Sequence, residues 1–405
     1  MEDSARQSGA IQRKRVIRTA WNLLRLVMVY CITDYSLRMV GLWGTVMGWG
    51  SLSKSGVRKR LMGCEQWIGL LIVAVLRAGK LSMPKQAKSH LYLIDASTVS
   101  QPGSNKADWR LHLSFDLNAV RMDQVQVTSG KVGETLTHYQ FEAGAIYLAD
   151  RCYGVARSLG VMLEALAFFV IRIGWQNLPL QDWEGQPFVI SSWLRVQSGD
   201  PAATPAQTRL WVQTPQGRFP IRLIARAIPP VKASKARQSI QREAKRKKRR
   251  LDERSLLAAG FVMVVSNLPE SAWSAHQILD LYRFRWQVEL VFKRLKGILS
   301  FDNLRATDPH LAQVYLLTKI LIALLLQEFQ WRIALANSDG FFDPDHPVCL
   351  WRLTQLLYEA FRQSICGSLT WNLIWDHWSQ LGRYLCDDPR TRLQQFANRP
   401  FLEIV

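Results

Sequence analysis

Cysteine and histidine are scarce in this sequence, and neither occurs at the spacing of a metal site. The six cysteines contain no Cys-x-x-Cys pair, and the seven histidines contain no His-x-x-x-His pair. A zinc site or a disulfide framework is therefore not expected. The sequence suits a reducing cytoplasm, where disulfides are rare.

Long uninterrupted hydrophobic runs are also missing. The most apolar stretch, residues 316–329, contains Lys319, Gln327 and Glu328. It falls short of the roughly 20 apolar residues that cross a bilayer, so a buried helix is predicted instead. The opening residues, MEDSARQSGAIQRKRV, lack the apolar segment of a secretory signal. The sequence therefore predicts neither a membrane span nor secretion.

Acidic residues are heavily outnumbered by basic ones. The chain has 52 Lys and Arg against 32 Asp and Glu, a formal net charge of +20. Such an excess indicates an anionic partner, with nucleic acid the leading candidate and a membrane surface the second. Apolar residues make up 48% of the 405, which excludes global disorder and allows two or three domains.

The residue patterns predict an α/β core between helical regions. Residues 1–88 show helical periodicity and are expected to form a small bundle that either reads DNA or packs on the core. Short apolar or alternating runs at 90–98, 108–117, 122–130 and 144–151 predict strands. The region 331–405 is rich in Trp and Leu and is predicted to be helical.

A change of composition divides the predicted core, 89–330. Gln, Pro, Gly and Trp increase over residues 174–260, where short alternating runs predict a β-rich insertion. The insertion ends in the basic run QREAKRKKRRLDER, residues 241–254. A solvated helix face is the ordinary explanation of such a run, but with the high net charge a DNA-contacting helix is favoured. The cations expected to bind phosphates there are Lys245, Lys247, Lys248, Arg249 and Arg250.

Two aspartates follow apolar runs that read as strands. Asp95 ends the run in YLIDAST, and Asp150 ends the run in IYLADRCYG. Acids at the carboxyl ends of neighbouring strands converge at one edge of a sheet, where open α/β sheets place their sites. Each alone has an ordinary explanation, since Asp after a strand often begins a turn.

A third acid stands in a basic helical segment. The stretch YRFRWQVELVFKRLK, residues 282–296, holds Glu289 among five Lys and Arg. At about 100° per residue, Tyr282, Arg285, Glu289 and Lys296 fall within roughly 60° of one another on a helix. An Arg285–Glu289 ion pair would explain two of them but not the alignment of the other two.

Together, the three acids predict a metal site. Asp95, Asp150 and Glu289, without His or Cys ligands, suit a hard cation such as Mg²⁺ or Mn²⁺. Two such ions are a common device for displacement at a phosphodiester. Arg285, Lys293 and Lys296 are then expected to bind the phosphates that flank the scissile one.

These motifs resemble those of a known family. The spacing Tyr-x2-Arg-x3-Glu-x6-Lys, met by residues 282–296, resembles the signature of bacterial insertion-sequence DDE transposases of the insertion-sequence-four group. LIDASTV and LADRCYG resemble that family's two Asp blocks, although Cys152 stands where a Gly is usual. DWRLHLSFDL resembles the family's second strand. The resemblance covers residues 88–330 approximately.

The resemblance implies a ribonuclease H-like fold and metal-dependent cutting at the ends of a mobile element, followed by attack of the freed 3′-OH on target DNA. It implies that Tyr282, Arg285 and Lys296 hold phosphates near a flipped base. It also implies double-stranded DNA with terminal inverted repeats as partner, and a homodimer that bridges two DNA ends. A base-stacking Trp is expected in the insertion. The candidates are Trp175, Trp183, Trp193 and Trp211.

Two other functions stay open at this point. A transposase-derived regulator would bind DNA without cutting it, but the intact acids argue against that function. A peripheral membrane protein would need a basic helix with a large apolar face, which residues 241–254 lack. The leading hypothesis is a cytoplasmic, nucleoid-associated transposase.

Overall fold

The strands of the described residues form one mixed sheet of nine strands, in the order β3-β2-β1-β4-β5-β9-β8-β7-β6. This computed structural model describes residues 1–12, 16–81, 90–336 and 348–366. The strands are β1 Leu91–Val99, β2 Trp109–Asp116, β3 Arg121–Ser129, β4 Ile146–Ala149, β5 Phe168–Arg172, β6 Leu180–Gln181, β7 Ala206–Thr214, β8 Gly217–Ala227 and β9 Phe261–Ser266.

The direction of the strands changes in the middle of the sheet. β1 pairs antiparallel with β2 but parallel with β4, and β4 pairs parallel with β5. β9 then pairs antiparallel with β5 and with β8. This mixed sheet between helices confirms the predicted α/β fold of the ribonuclease H-like class.

Helices cover both faces of the sheet. They are α1 Glu2–Gln7, α2 Ala20–Ile32, α3 Leu37–Val46, α4 Lys54–Met62, α5 Glu65–Leu81, α6 Ala156–Glu164, α7 Ile190–Arg195, α8 Pro230–Arg246, α9 Glu253–Ala258, α10 Ala275–Tyr282, α11 Gln287–Gly297, α12 Pro309–Ala336 and α13 Leu350–Cys366. Of the region 331–405, which is predicted to be helical, the described residues 331–336 end α12 and 350–366 form α13. The prediction for 337–347 and 367–405 lies outside the described residues.

Two hydrophobic cores lie on opposite faces of the sheet. In β1, Leu93 belongs to the core shared with α2, α5, α10, α11, α12 and α13, whereas Ile94 belongs to the core shared with α6, α7 and α9. Successive side chains of a strand point to opposite faces, so the LYLI run serves both cores. A strand buried on both faces needs this continuous apolar pattern rather than an alternating one.

The segment 174–260 joins the main sheet rather than forming a sheet of its own. Its hairpin, β7 and β8, pairs through β8 with β9, and the short β6 pairs with β7 at the edge. The segment also contains α7, α8 and α9, which a purely β-rich insertion would not include. The basic run 241–254, for which a helix is favoured, is helical at its start, where α8 ends, and at its last two residues, where α9 begins.

The helix that carries Glu289 is interrupted. The sequence predicts one continuous helix over about 274–299, but α10 and α11 are separated by a 3-10 turn, Arg283–Trp286. At the N-terminus of α10, Ser274 forms a capping box with Gln277. The tighter turn changes the direction in which Arg285 and Glu289 project.

The apolar stretch predicted as a buried helix lies within α12. This helix is long and apolar enough to cross a membrane by length and composition, but 72% of its most apolar window is buried inside the protein. A helix that is hydrophobic on all sides is what a core position requires. α12 contacts α2, α4, α5, α13 and β3, so it serves as the central helix of the larger core.

We expect Leu148→Ala to lower the free energy of unfolding by about 2–5 kcal/mol, because it leaves a cavity in a packed core. Leu148 is 0% exposed in the middle of β4. Denaturant unfolding followed by circular dichroism measures the loss. The control is Val196→Ala, since Val196 is 80% exposed. A similar loss in both variants would contradict the assignment of Leu148 to the core.

Candidate active site

Asp95 and Asp150 lie side by side because of the register between two parallel strands. Ile94 of β1 pairs with Ala149 of β4, and each aspartate is the next residue along its chain. Asp95 continues in β1, opposite Leu113 of β2, whereas Asp150 follows the last residue of β4. The structure thus brings the two predicted acids to one edge of the parallel pair.

Glu289 reaches the same edge from the first turn of α11. This helix contacts β1 and buries Val288, Val291 and Leu295 against the larger core. The Glu289 side chain stays 48% exposed. The helix is therefore held on the sheet by its apolar face while its carboxylate faces an open cleft.

One cleft of about 580 Å³ contains all three acids, and we name it the carboxylate cleft. The residues that line it are Asp95, Ala96, Asp150, Arg285, Glu289, Phe292, Lys293, Lys296 and Trp351. Six of these are the predicted acids and cations of the sequence analysis. Tyr282 lies beside the cleft, where its hydroxyl donates a hydrogen bond to Asp150 Oδ1 at 3.3 Å.

Arg285 connects two of the acids. Its Nη2 donates to Glu289 Oε1 at 2.7 Å, and its Nη1 lies 3.5 Å from Asp95 Oδ2. The i,i+4 ion pair considered at the sequence level therefore exists, and the same guanidinium also faces a strand residue. Carboxylates this close would repel one another, and the shared cation offsets that repulsion.

Burial is the main influence on Asp95. It raises the pKa of this carboxyl to about 6, against the opposing effects of the Ala96 backbone N–H and of Arg285. Asp150 adds a smaller increase through charge repulsion. The Asp95 anion is thus poorly solvated, which is the condition under which a nearby cation is most strongly attracted.

The donor set fits a hard divalent cation in its chemistry. Asp95, Asp150 and Glu289 offer carboxylate oxygens only, as Mg²⁺ and Mn²⁺ prefer. Within the described residues, however, no group of three or more His, Cys, Asp or Glu lies close enough together to hold a metal ion. The guanidinium of Arg285 contacts both Asp95 and Glu289 and so lies between these two carboxylates.

The basic run of the insertion does not line the carboxylate cleft. Lys245 lies in the last turn of α8. The other four cations of the run come after the end of the helix: Lys247, Lys248, Arg249 and Arg250. Lys247 pairs with Glu243 on the preceding turn. Lys247 lowers the pKa of Glu243 by donating a hydrogen bond to its carboxylate.

Sequence reasoning missed Phe292 and Trp351. Trp351 lies in the first turn of α13, is 38% exposed and lines the cleft beside the lysines. A Cβ at Gly297 would stand 2.6 Å from its indole, so the ring lies close against the backbone of α11. No local pattern marks this residue, because only the tertiary fold brings α13 to the cleft.

The tryptophans proposed from the insertion do not line the cleft. Trp175 donates to Ser255 and lies under the Arg254 guanidinium at 4.5 Å. Trp183 and Trp211 form an edge-to-face pair with centroids 5.2 Å apart. Trp193 packs near Phe188 in the smaller core. None of these four tryptophans is among the residues that line the carboxylate cleft.

Comparison with known proteins agrees with this site. The family described as "Transposase DDE domain" matches residues 86–326, which include both aspartates and the helix of Glu289. The chain belongs to the DDE transposase family. The resemblance inferred from the four-residue signature is confirmed, and DNA transposition is the function of the protein.

Individual relatives of this transposase carry the same function in their names. Transposase InsL of insertion sequence element IS186A from Escherichia coli (strain K12) is 34% identical over 337 residues, 81% of this chain and 90% of the relative. The transposase of IS421 from Escherichia coli is 33% identical over 338 residues, with the same coverage. The transposase of IS231F from Bacillus thuringiensis subsp. israelensis is 28% identical over 112 residues, 28% of this chain and 24% of the relative.

Proposed function

We propose that this transposase cuts DNA at the ends of an insertion sequence and joins the freed 3′-OH to target DNA. The observation that carries the proposal is one cleft that is lined by Asp95, Asp150 and Glu289 and by three cations. A DNA-binding regulator has no need of three acids in its binding surface, because they repel phosphates.

The acids are proposed to hold Mg²⁺ or Mn²⁺, in a site for two ions. Asp95 and Asp150 would supply adjacent oxygens from the sheet, and Glu289 would supply the third carboxylate from α11. When bound, such a pair of ions activates the attacking oxygen and stabilises the leaving one. The proposed metal explains why a DNA-binding surface contains these acids.

The remaining side chains of the cleft are proposed to position the substrate. Tyr282 donates to Asp150 and fixes the direction of its carboxylate. Lys293 and Lys296 lie on the same helix as Glu289 and would bind the phosphates that flank the scissile one. The guanidinium of Arg285, which already neutralises two acids, would keep them ionised in the absence of other cations.

The other expectations from the sequence complete the proposal. The DNA ends would be the terminal inverted repeats of the element, bound by the N-terminal region 1–88. Two copies of the chain would form a homodimer that brings two ends together, with the C-terminal region 331–405 as the proposed interface. The reaction would take place in the bacterial cytoplasm, at the nucleoid.

We expect Asp95→Asn, Asp150→Asn and Glu289→Gln each to lower the rate of nicking by at least about 100-fold, because each removes a charged oxygen donor. Binding to the same DNA should change little. The assay uses DNA that carries the element's own terminal repeats, with and without Mg²⁺ or Mn²⁺, and measures release of a 3′-OH end on a denaturing gel.

Asp280→Asn is the matched control for the three variants. Asp280 is an exposed acid of the preceding helix, with Arg283 as its ion-pair partner, and lies outside the lining of the cleft. Its nicking rate should equal that of the wild type. Full nicking by Glu289→Gln would refute the proposed triad, and metal-independent nicking would refute the metal. Specific binding without nicking by the wild type would favour the regulator.

Replacement of Lys248, Arg249 and Arg250 by Gln should flatten the salt dependence of DNA binding. Each phosphate contact contributes about 0.9 to the slope of log affinity against log salt, so up to about 3 is lost. Fluorescence anisotropy with labelled duplex over a range of salt concentrations measures the slope. The control replaces Arg6, Arg77 and Arg195, which lie on α1, α5 and α7. Equal slopes in both triple variants would identify the run as a solvated face.

We also propose that Trp351 stacks on an unpaired base at the cut. Base–aromatic stacking contributes about 1–3 kcal/mol per base, so Trp351→Ala should weaken binding of DNA with a short single-stranded end by about 10-fold. Trp351→Phe should retain most of the affinity, and blunt duplex should bind all variants alike. Trp183→Ala is the control, since Trp183 is 57% exposed but distant from the cleft lining. An equal loss with abasic ends would exclude stacking.

A further inference from the structure

The carboxylate of Asp95 is oriented by the peptide group that joins Asp95 to Ala96. This group is planar, with the carbonyl oxygen of Asp95 on one side and the N–H of Ala96 on the other. The Ala96 N–H donates a hydrogen bond to Asp95 Oδ1 at 2.8 Å. A rotation of the peptide group would move this donor, so the orientation of the group sets the direction of the carboxylate.

The hydroxyl of Tyr139 contacts the opposite side of the same peptide group. It donates a hydrogen bond to the carbonyl oxygen of Asp95 at 3.4 Å. The C=O and N–H of a trans peptide group point in opposite directions. The tyrosine therefore holds the group at its oxygen, while the Asp95 carboxylate accepts from the N–H at the other side.

Tyr139 reaches Asp95 from the face of the sheet that lies opposite α11. In β1, Leu93 belongs to the larger core, with α11, and Ile94 belongs to the smaller core. Side chains of a strand alternate between the faces, which places the Asp95 side chain on the face of α11. Tyr139 is 8% exposed and belongs to the smaller core. It thus contacts Asp95 from behind and does not line the carboxylate cleft.

Strand pairing holds this part of β1 less firmly than the part before it. The pairing of β1 with β4 ends at Ile94, one residue before Asp95. From Asp95 onward β1 pairs with β2 alone, where Asp95 lies opposite Leu113. A strand with one neighbour has backbone groups outside the ladder. A hydrogen bond from the core below supplies a restraint that the missing neighbour does not.

Tyr139 is itself held in a fixed position. It follows the 3-10 turn Leu136–His138, which Thr135 caps with its side chain. Its backbone N–H donates to the carbonyl of Leu136 at 3.1 Å, and Leu136 is fully buried in the same core. A side chain that orients a functional group must have its own position fixed by packing and hydrogen bonds. Tyr139 meets that condition.

We propose that Tyr139 is a positioning residue for the reaction: its hydroxyl fixes the Asp95–Ala96 peptide group and, through that group, the direction of the Asp95 carboxylate. This inference rests on the proposed function, in which Asp95 is a metal ligand. Replacement of a residue that hydrogen-bonds to a metal ligand lowers metal affinity or activity by about 10- to 100-fold. Tyr139 bonds to the backbone of the ligand, so the lower end of that range is expected.

The test is Tyr139→Phe in the full chain, which removes the hydroxyl and keeps the ring. Hydrogen exchange in the metal-free protein, resolved to single residues by mass spectrometry, reports on the Ala96 N–H. We expect this N–H to exchange about 5-fold faster in the variant, as the loss of one ordinary hydrogen bond would give. Titration with Mn²⁺, followed by the paramagnetic resonance signal of the free ion, should show about 10-fold weaker binding.

Tyr147→Phe is the matched control. Tyr147 is 1% exposed in β4, and its hydroxyl accepts a hydrogen bond from the backbone N–H of Glu142 at 2.9 Å. Its loss should lower the unfolding temperature about as much as Tyr139→Phe does. Exchange of the Ala96 N–H and Mn²⁺ affinity should stay at their wild-type values. Equal changes in both variants would show a general loss of stability and overturn the proposal.

The two readouts separate this proposal from the proposed function. Failure of the wild type to bind Mn²⁺ would count against the metal site, and the exchange of the metal-free protein would still decide whether Tyr139 fixes Asp95. Unchanged exchange at Ala96 in Tyr139→Phe would overturn the proposal. Faster exchange together with wild-type Mn²⁺ affinity would also overturn it, because the fixed peptide group would then have no effect on the site.

Discussion

The parallel pairing of β1 with β4 is the constraint on which the site depends. It fixes Ile94 opposite Ala149, and the next residue of each strand is an aspartate. A shift by one residue would turn one aspartate to the other face of the sheet. Alternate side chains of β1 and β4 are buried in the two cores on opposite faces of the sheet. A shift in register would move each apolar side chain out of its core, so the cores hold the register.

Electrostatics sets the second requirement of the site. Three carboxylates near one another are unstable as anions, and burial has already raised the pKa of Asp95 to about 6. The positive charge of Arg285 offsets the repulsion between the acids, because its guanidinium contacts both Asp95 and Glu289. The 3-10 turn between α10 and α11 places Arg285 at the start of the helix that carries Glu289. The 3-10 turn therefore contributes to the site, because it positions the cation that contacts both Asp95 and Glu289.

Sequence reasoning found those parts of the site that short segments encode. Asp95 and Asp150 follow apolar runs, and Tyr282 to Lys296 share one short segment, so local patterns suffice for them. Trp351 could not be found in this way, because it reaches the cleft only through the packing of α13. The continuation of the sheet into β8 and β7 was missed for the same reason, since pairing partners distant in sequence leave no local signal.

α12 connects the N-terminal helices to the end of α11. Its N-terminal end follows Asp308, which forms an ion pair with Arg58 of α4. About three turns further on, its buried Lys319 donates to the carbonyl of Leu299, just beyond the end of α11. Burial lowers the pKa of Lys319 to about 8, because the charged form is poorly solvated there. The same buried side chain makes the contact that holds the end of the Glu289 helix. The contact therefore fixes the end of α11 against the central helix of the larger core, and with it the position of Glu289 on the sheet.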